Sequence, residues 1–289
     1  MSSQDFIDFD SLWDYSDPHK SETRFREILL QIPEENHAYL ELLTQIARAQ
    51  GLQQKFERAH QTLDQVERRL GDYPSRARVR YLLERGRMLN SAGQPDEARP
   101  LFEQALDMAT ELSEDFYAVD ALHMLAILAP PASSLDLNLR AIQTAESSGQ
   151  PRARDWLGSL YNNTGWSYHE LGEYESALEM FEKAEAVRRS NGSVNEIRIA
   201  VWSAARVLRS LNRVEEALSK QMALKDEFES AGESDGFVLE EIGECLLALN
   251  RQDEARPYFA KAYEVLSQDA SLAEHEPTRL ARLKKLGAQ

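Results

Sequence analysis

The side chains best suited to binding chemistry lie in two short stretches of the chain. Residues 162–169 read NNTGWSYH, and residues 202–209 read WSAARVLR. Arginine binds a carboxylate through two parallel N–H bonds, and tryptophan supplies a large apolar area that anchors a chain. The two stretches therefore predict a surface that binds a carboxylate-bearing peptide.

The residue types that support catalysis or metal binding are not arranged for either purpose. None of the six histidines is paired with another His or with Cys at the spacing of a metal site. Asp5, Asp8, Asp10 and Asp14 lack the turn glycine and the distal glutamate of a calcium loop, so they predict a solvated acidic tail. Cys245 lies in the apolar run GECLLALN and is predicted to be a small buried core residue. Because no phosphate- or dinucleotide-binding glycine motif occurs either, we expect no catalytic residue, no metal and no cofactor.

The chain is strongly acidic, with 33 Lys and Arg against 49 Asp and Glu and a formal net charge of −16. A charge of this sign repels nucleic acid and anionic membranes, so neither is an expected partner. The single cysteine excludes an intrachain disulfide, and no apolar run approaches the ~18 residues of a membrane span. The amino-terminal residues MSSQDFIDFD lack the features of a secretory signal, so we expect a cytoplasmic protein.

The elements that hold these side chains are predicted to be repeated helices. Of the 289 residues 42% are hydrophobic, and only 13 are Gly and 10 are Pro, a composition that favours helix over sheet. The phrases QPDEARPLFEQAL around Ala98 and RQDEARPYFAKAY around Ala255 share the core DEARPxF, at a distance of four periods of roughly 39 residues. Further copies centre near Ala59, Leu137, Ala177 and Ala217, of which the Leu137 copy is degenerate.

A second helical pattern precedes each copy, so the sequence predicts six helix-turn-helix units from about Asn36 to Gln268. We expect helices to end in left-handed caps at Gly93, Gly172, Asn212 and Asn250. Two prolines are expected in or next to the first turn of a helix, each after an Asp that serves as N-cap. These are Pro100 after Asp96, and Pro257 after Asp253.

Small residues recur inside the predicted helices, for example in residues 161–184, YNNTGWSYHELGEYESALEMFEKA. Glycine weakens a helix interior by about 1 kcal/mol relative to alanine, so a packing requirement must offset that loss. We expect Gly165 and Ala177 to admit a neighbouring backbone at a close helix crossing, while Tyr168 and Phe181 fill the adjacent hollows.

This pattern of small and large residues resembles the tetratricopeptide repeat family. The matching positions are Gly165, Tyr168, Gly172, Tyr174, Ala177, Phe181 and Ala184 in one copy, Gly86, Gly93, Ala98, Phe102 and Ala105 in another, and Gly243, Ala255, Phe259 and Ala262 in the last. The unit is longer than the family's usual one and is similar to the longer-helix variants of kinesin light chain and of several bacterial peptide-sensing regulators. The resemblance implies an all-α, right-handed superhelical α-solenoid of antiparallel helix pairs, with a concave face that binds a partner and catalyses no reaction.

The resemblance also implies a role for one polar side chain. Asn163 matches the asparagine with which the family often hydrogen-bonds an extended peptide backbone. The lysines and the second asparagine of the carboxylate clamp found in co-chaperones are absent from the matching positions. The ligand is therefore not expected to be held as in those co-chaperones.

We divide the chain into an acidic N-terminal segment with a capping helix (residues 1–35), six helical hairpins (residues 36–268) and a C-terminal capping helix (residues 269–289). Caps are expected because the terminal repeats of a solenoid would otherwise expose their apolar faces. Leu280, Leu283 and Leu286 share one face of the last predicted helix, as a closing amphipathic helix requires. Residues 1–15 are acidic and aromatic and form a disordered tail, a strap over the first repeat, or a segment that enters the groove.

Polar and aromatic residues on the helix stripe opposite the packing stripe predict the peptide-binding groove. They are Arg87, Asn90, Asn162, Asn163, Trp166, His169, Trp202, Arg206 and Arg209, and the acidic residues Glu240, Glu241 and Glu244 follow them. The alternative is that Trp166 and Trp202 are buried between hairpins and that the arginines pair with nearby glutamates.

The favoured hypothesis is a non-catalytic scaffold or sensor, a monomer that binds an extended or C-terminal peptide, with an acidic peptide as one option. The alternatives are a self-assembling structural protein that forms a homodimer through its terminal helices or convex face, and a small-molecule sensor or enzyme. The last would need an enclosed polar pocket with a perturbed titrating group.

Overall fold

The computed structural model describes residues 9–288 of the chain. Within this range the backbone forms helices and connecting loops, and no strand occurs. The chain divides into two compact units, Met1–Trp156 and Leu157–Gln289, which we call unit 1 and unit 2. The expectations for Asp5 and Asp8 concern residues that lie outside the described range.

Unit 1 contains one turn of 3-10 helix, Asp10–Leu12, and a series of α-helices after it. These helices are α1 (Pro18–Leu29), α2 (His37–Leu52), α3 (Phe56–Glu67), α4 (Arg76–Ser91), α5 (Pro95–Glu111), α6 (Asp115–Ile127), α7 (Pro131–Ser147) and α8 (Pro151–Arg154). Unit 2 is also helical throughout its described residues. Its helices are α9 (Leu157–Glu170), α10 (Tyr174–Asn191), α11 (Val194–Ser210), α12 (Val214–Ser230), α13 (Gly236–Ala248), α14 (Gln252–Leu266), α15 (Ala270–His275) and α16 (Pro277–Ala288).

Consecutive helices pack in pairs, which confirms the predicted all-α fold of helical hairpins. The pairs are α2 with α3, α4 with α5 and α6 with α7 in unit 1, and α9 with α10, α11 with α12 and α13 with α14 in unit 2. Short loops such as residues 92–94 and 171–173 join the two members of a pair, so the members run antiparallel. We call α2, α4, α6, α9, α11 and α13 the first helices, because each precedes its partner in the chain.

The loops inside the pairs have the left-handed caps that the sequence predicts. Gly93 and Gly172 have φ angles of +76° and +78°, and Asn212 and Asn250 both have +59°. Gln54 takes the same conformation in the first pair, with a φ angle of +60°. Glycine and asparagine tolerate this conformation at little steric cost, which explains why they could be recognised in the sequence and Gln54 could not.

The prediction for the two internal prolines was wrong about where their helices begin. Helix α5 begins at Pro95 and α14 at Gln252, so the caps are Gln94 and Arg251. Asp96 and Asp253 lie in the first turn instead, where a carboxylate is favourable beside the N-terminal N–H groups. As a result, Pro100 and Pro257 lie inside their helices, two residues further from the helix start than expected.

The close crossing within a pair joins a glycine to a phenylalanine ring. Each phenylalanine follows its glycine by sixteen residues, and a Cβ added to the glycine would lie 2.6 or 2.7 Å from a ring carbon. The joined residues are Gly86 and Phe102, Gly165 and Phe181, and Gly243 and Phe259. All three rings are almost fully buried. The neighbour admitted by Gly165 is therefore the ring of its own second helix rather than the neighbouring backbone that we expected.

Amphipathic helices pack on the outermost pair at each end of the chain. Helix α1 packs against α2 and buries Phe25, and α16 packs against α14 and buries Leu280 and Leu283. The short helices α8 and α15 are not predicted by the sequence, because a segment of four to six residues is too short to show helical periodicity.

Replacing Gly165 with alanine should lower the free energy of unfolding by about 1–3 kcal/mol, because the new Cβ overpacks against the Phe181 ring. The sign of this change in the free energy of unfolding is diagnostic, since a glycine-to-alanine substitution in an unhindered helix stabilises the protein by about 0.5–1 kcal/mol. Urea denaturation followed by circular dichroism measures the difference. The substitution should cost less in a chain that already carries Phe181→Leu, because the two sites are in contact. A more stable Gly165→Ala chain would show that the ring has room to move.

Candidate functional site

The nine residues predicted to bind a peptide are all half-buried, and they lie in both units. Arg87 and Asn90 lie on α4 in unit 1. The other seven lie on neighbouring first helices of unit 2: Asn162, Asn163, Trp166 and His169 on α9, and Trp202, Arg206 and Arg209 on α11.

The two predicted tryptophans pack against each other. The ring centroids of Trp166 and Trp202 are 6.0 Å apart with an interplanar angle of 40°. Trp166 also meets Phe181 of the second helix edge to face, at 5.0 Å between centroids. The indole Nε1 of Trp202 is buried and has no hydrogen-bond partner within residues 9–288. Trp202 therefore combines a packing role with an unused donor.

The two predicted arginines of unit 2 share one carboxylate. Arg209 Nε and Nη2 donate to Glu241 on α13 at 2.9 and 3.0 Å, and Arg206 Nε lies 3.0 Å from the same carboxylate. Glu241 is buried, with 6% of its surface exposed. Burial lowers the pKa of Arg209, but the hydrogen bonds and charge of Glu241 outweigh it and raise the pKa overall. Both guanidinium groups are therefore paired with a carboxylate of the protein itself.

His169 completes this polar group. Its Nε2 lies 2.9 Å from Ser210 Oγ, which also accepts a hydrogen bond from Arg206 Nη1. Burial lowers the pKa of His169, and the positive charges of Arg206 and Arg209 lower it further. The imidazole is thus kept neutral at physiological pH.

Unit 1 repeats the pairing of arginines with carboxylates between neighbouring first helices. Arg87 on α4 contacts Glu84 at 2.6 Å and also pairs with Asp120 on α6. Glu84 in turn lies 3.3 Å from Arg48 on α2. Glu84 and Asp120 are buried, so these pairs are largely shielded from water. The arginines therefore pair as the alternative interpretation supposes, and their role in peptide binding stays a prediction.

Two cavities open along the first helices of unit 2. The larger has a volume of about 560 Å³ and a mostly apolar wall, built by Ile199, Trp202, Leu224, Phe228, Phe237 and Val238. The smaller has a volume of about 180 Å³, and both predicted asparagines, Asn162 and Asn163, line it. Ile199 lines both cavities and is 57% exposed, so it forms the ridge between them.

One buried cation borders the larger cavity. The guanidinium of Arg198 lies 4.1 Å from the ring centroid of Phe228 and donates to Glu233 at 2.6 Å. Its Nε is buried without a hydrogen-bond partner in the described part of the chain. The cavity wall is therefore mostly apolar, and the unpaired N–H groups of Arg198 and Trp202 are themselves buried.

The sequence-based prediction did not include Ile199, Arg198, Phe228 or Phe237. The usable signal was the spacing of Ile199, which precedes Trp202 by three residues and therefore shares its helix face. Phe228 and Phe237 come from the end of α12 and the start of α13, and only the packing of successive pairs brings them to α11.

The candidate metal ligands and the one cysteine of the described residues are not arranged for metal binding or nucleophilic attack. No group of three or more His, Cys, Asp or Glu side chains in residues 9–288 is arranged to hold a metal ion. Cys245 is buried, and burial raises the pKa of its thiol to about 12. No helix in the same range combines the length and apolar character needed to cross a membrane.

Comparison with known sequences places repeats in both units. Two profiles of the tetratricopeptide repeat match the chain, over residues 44–115 and over residues 158–191. The second match coincides with the α9 and α10 pair that carries Trp166. No curated protein sequence matches the chain at a significant level.

Solved structures share the fold at low sequence identity. The apo form of RapI is 14% identical, with a TM-score of 0.70 over 89% of this chain and 76% of its own. Aspartyl phosphate phosphatase F from Bacillus subtilis is 13% identical, with a TM-score of 0.60 over 95% of this chain and 75% of its own. A signal transduction ATPase with a tetratricopeptide repeat sensor from Pyrococcus horikoshii is 14% identical, with a TM-score of 0.69 over 94% of this chain and 42% of its own.

Replacing Arg206 and Arg209 together with glutamate should lower the free energy of unfolding by more than about 2 kcal/mol. Breaking a buried ion pair costs about 3–5 kcal/mol, and this one is partly exposed. Thermal unfolding followed by circular dichroism measures the loss. The matched control is Arg213→Glu, which removes an exposed pair with Glu216 and should change stability by less than about 1 kcal/mol. Equal effects of the two changes would mean that Glu241 does not depend on these arginines.

Cys245 should react with a thiol reagent only after unfolding. A thiol with a pKa of about 12 is almost entirely protonated at pH 8, and the protonated form is a poor nucleophile. Absorbance with Ellman's reagent should show little reaction in buffer and one thiol per chain in concentrated urea. Rapid stoichiometric reaction of the native protein would assign Cys245 to an accessible site.

Proposed function

We propose that this chain, which is a tetratricopeptide repeat protein, is a non-catalytic interaction module that binds an extended peptide along the first helices of unit 2. Repeats of this kind typically present one face of stacked helix pairs to a partner. The neighbour from Pyrococcus horikoshii uses a tetratricopeptide repeat region as a sensor, which supports a scaffold or sensor role here.

The observation that carries the proposal is the pair of cavities that flank Ile199. The larger, apolar cavity falls within the range of about 300–1,000 Å³ that is usual for ligand sites. It is separated by a single exposed side chain from a smaller cavity lined by two asparagine amides. An extended peptide needs an apolar cavity for one of its side chains and hydrogen-bonding groups for its backbone. An apolar cavity beside asparagine amides supplies both.

In the proposed complex the peptide crosses the Ile199 ridge. One apolar side chain, aromatic or branched, enters the larger cavity against Trp202, Phe228 and Phe237. The Asn163 amide hydrogen-bonds the peptide backbone on the other side of the ridge.

The arginines have a smaller share in this proposal than their charge suggests. A carboxylate of the peptide must compete with Glu241, which already accepts hydrogen bonds from Arg209 and lies beside Arg206. We therefore assign most of the affinity to the apolar anchor, and an acidic peptide is preferred only where its carboxylate displaces Glu241. The affinity should then depend only weakly on salt concentration, because apolar contacts are not screened.

Selection from a displayed library of random peptides tests this function. The full chain should enrich peptides that share an apolar residue at one position, and the enriched pool should lose at least tenfold in affinity for Ile199→Arg. The matched control is Val194→Arg on the same helix, because Val194 is 63% exposed and does not line either cavity. Both changes are at the surface and should alter stability by no more than about 0.5 kcal/mol.

Several outcomes would contradict the proposal. Binding that survives Ile199→Arg would move the peptide away from the two cavities, and failure to enrich any peptide would favour a small molecule in the apolar cavity. Light scattering at two concentrations should give the mass of a monomer. A mass that rises with concentration would favour the self-assembling alternative.

A further inference from the structure

The surface of the first helices in unit 1 is already covered by part of the same chain. Residues 9–15, which we call the N-terminal segment, run across α2, α4 and α8 before α1 begins at Pro18. Phe9 is 1% exposed and belongs to the hydrophobic core of the unit. Beyond Phe9 the segment is held by the side chains of Asp10 and Trp13 and by hydrogen bonds between the Asp14 backbone and Ser21 Oγ on α1, and Tyr15 is 60% exposed.

Asp10 joins two arginines that belong to different helices. Its carboxylate accepts a hydrogen bond of 2.8 Å from Arg80 on α4 and another from Arg152 on α8. Burial raises the pKa of Asp10, but the charges and hydrogen bonds of both arginines outweigh it and hold the pKa below its usual value. The carboxylate is therefore ionised at neutral pH, as a bridge between two cations requires.

The aromatic side chains of the segment have equally specific partners. Trp13 Nε1 donates to Gln45 Oε1 on α2 at 3.0 Å, and its ring meets Phe25 edge to face at 5.0 Å. The rings of Trp13 and Tyr15 stack at 4.9 Å, and the guanidinium of Arg48 lies within 6 Å of both centroids. Every group that receives the segment thus belongs to the folded helices.

The helices would be left with unmatched groups if the segment departed. Arg80 is 4% exposed, and its other carboxylate, Glu41, is shared with Arg76. Gln45 is also buried and would lose the donor that satisfies its carbonyl oxygen. A buried cation without a full counter-charge is strongly unfavourable, so this surface selects for a carboxylate at the position of Asp10.

We propose that the surface formed by Gln45, Arg48, Arg80 and Arg152 is a docking site for a partner segment that carries a carboxylate three residues before a tryptophan. Asp10, Trp13 and Tyr15 of the N-terminal segment occupy the site in the unbound chain and are displaced by the partner, while Phe9 stays in the core. The site lies in unit 1 and is independent of the apolar cavity of unit 2. It differs from that cavity in chemistry, because the acidic group of its occupant is bound directly by two arginines.

Tethering makes the N-terminal segment a strong competitor. A short flexible connection gives an effective concentration on the order of millimolar, so a partner binds the intact chain with an apparent affinity reduced by that competition. Weakening the contacts of the segment should therefore increase the affinity for the same sequence supplied as a separate peptide.

The test uses a fluorescently labelled peptide of residues 7–16, IDFDSLWDYS, and the full chain. The double variant Asp10→Asn with Trp13→Ala keeps Phe9 and all helix residues of the site. By fluorescence anisotropy it should bind the peptide at least tenfold more tightly than the unaltered chain. A peptide with Asn in place of Asp10 should bind the double variant at least tenfold more weakly.

Substitutions at two arginines of α8, Arg152 and Arg154, test whether the peptide binds at this site. Adding Arg152→Glu to the double variant should abolish peptide binding, and adding Arg154→Glu should leave it unchanged, because Arg154 is exposed on the same turn. Ile199→Arg in unit 2 should also leave it unchanged, which separates this test from that of the proposed function. If the double variant unfolds, Asp10→Asn alone provides the same comparison.

Two results would overturn the proposal. Equal affinity of the peptide for the double variant and the unaltered chain would show that the N-terminal segment does not block a site. Equal effects of Arg152→Glu and Arg154→Glu would show that the peptide binds elsewhere.

Discussion

A phenylalanine ring packed over a glycine Cα sets the approach of the two helices in three of the six pairs. The ring occupies the space that a Cβ would take, so the two helices approach more closely than any larger residue would allow. This approach places the second helix behind the first, and the opposite face of the first helix is left available for other contacts. The half-buried polar and aromatic residues of α9 lie on a helix held in this way.

Three of the six pairs in the described residues lack this contact, and the α11 and α12 pair, which borders the larger cavity, is one of them. Gln221 follows Ala205 by sixteen residues, so it stands where three other pairs carry phenylalanine. Gln221 is fully buried, its Nε2 lies 3.5 Å from the backbone oxygen of Trp202, and its Oε1 is unpaired among the described residues. A polar amide in place of an aromatic ring supports less apolar packing, and the neighbouring Leu224 and Phe228 line open space. The site of the proposed function thus lies beside a pair in which a buried polar amide takes the place of the aromatic ring.

A second constraint acts between neighbouring first helices, where arginines meet buried carboxylates. Arg209 with Glu241, and Arg87 with Asp120, are examples in the two units. These pairs explain how an acidic chain carries arginines on this face without a strongly positive surface. In unit 2 Arg206 and Arg209 share Glu241 on the next first helix, whereas in unit 1 Arg80 and Arg152 receive Asp10 from outside the helix pairs. The ligands that we propose for the two units differ accordingly, with an apolar anchor in one and an acidic aromatic segment in the other.

The helical fold could be read from the sequence because it rests on local and periodic signals. The spacing of Ala98 and Ala255 reports the length of the repeat. Gly165 reports a packing requirement within one repeat, and the caps at Gly93 and Asn212 report where a helix must end. The same signals placed Trp166, Trp202, Arg206 and Arg209 on first helices, and that placement is what the structure has.

What the side chains contact on those helices was decided by tertiary structure. The sequence left open whether the arginines face a partner or a glutamate, because Glu241 lies on the next first helix and no local spacing relates the two. The prediction of a solvated acidic tail was wrong for Asp10, because its carboxylate bridges Arg80 and Arg152, which are far from it in the chain. The cavity beside Ile199 depends on three helices at once. Periodicity determines which face of a helix is buried within its own repeat, and only the packing of successive repeats determines which charges and cavities meet on the remaining face.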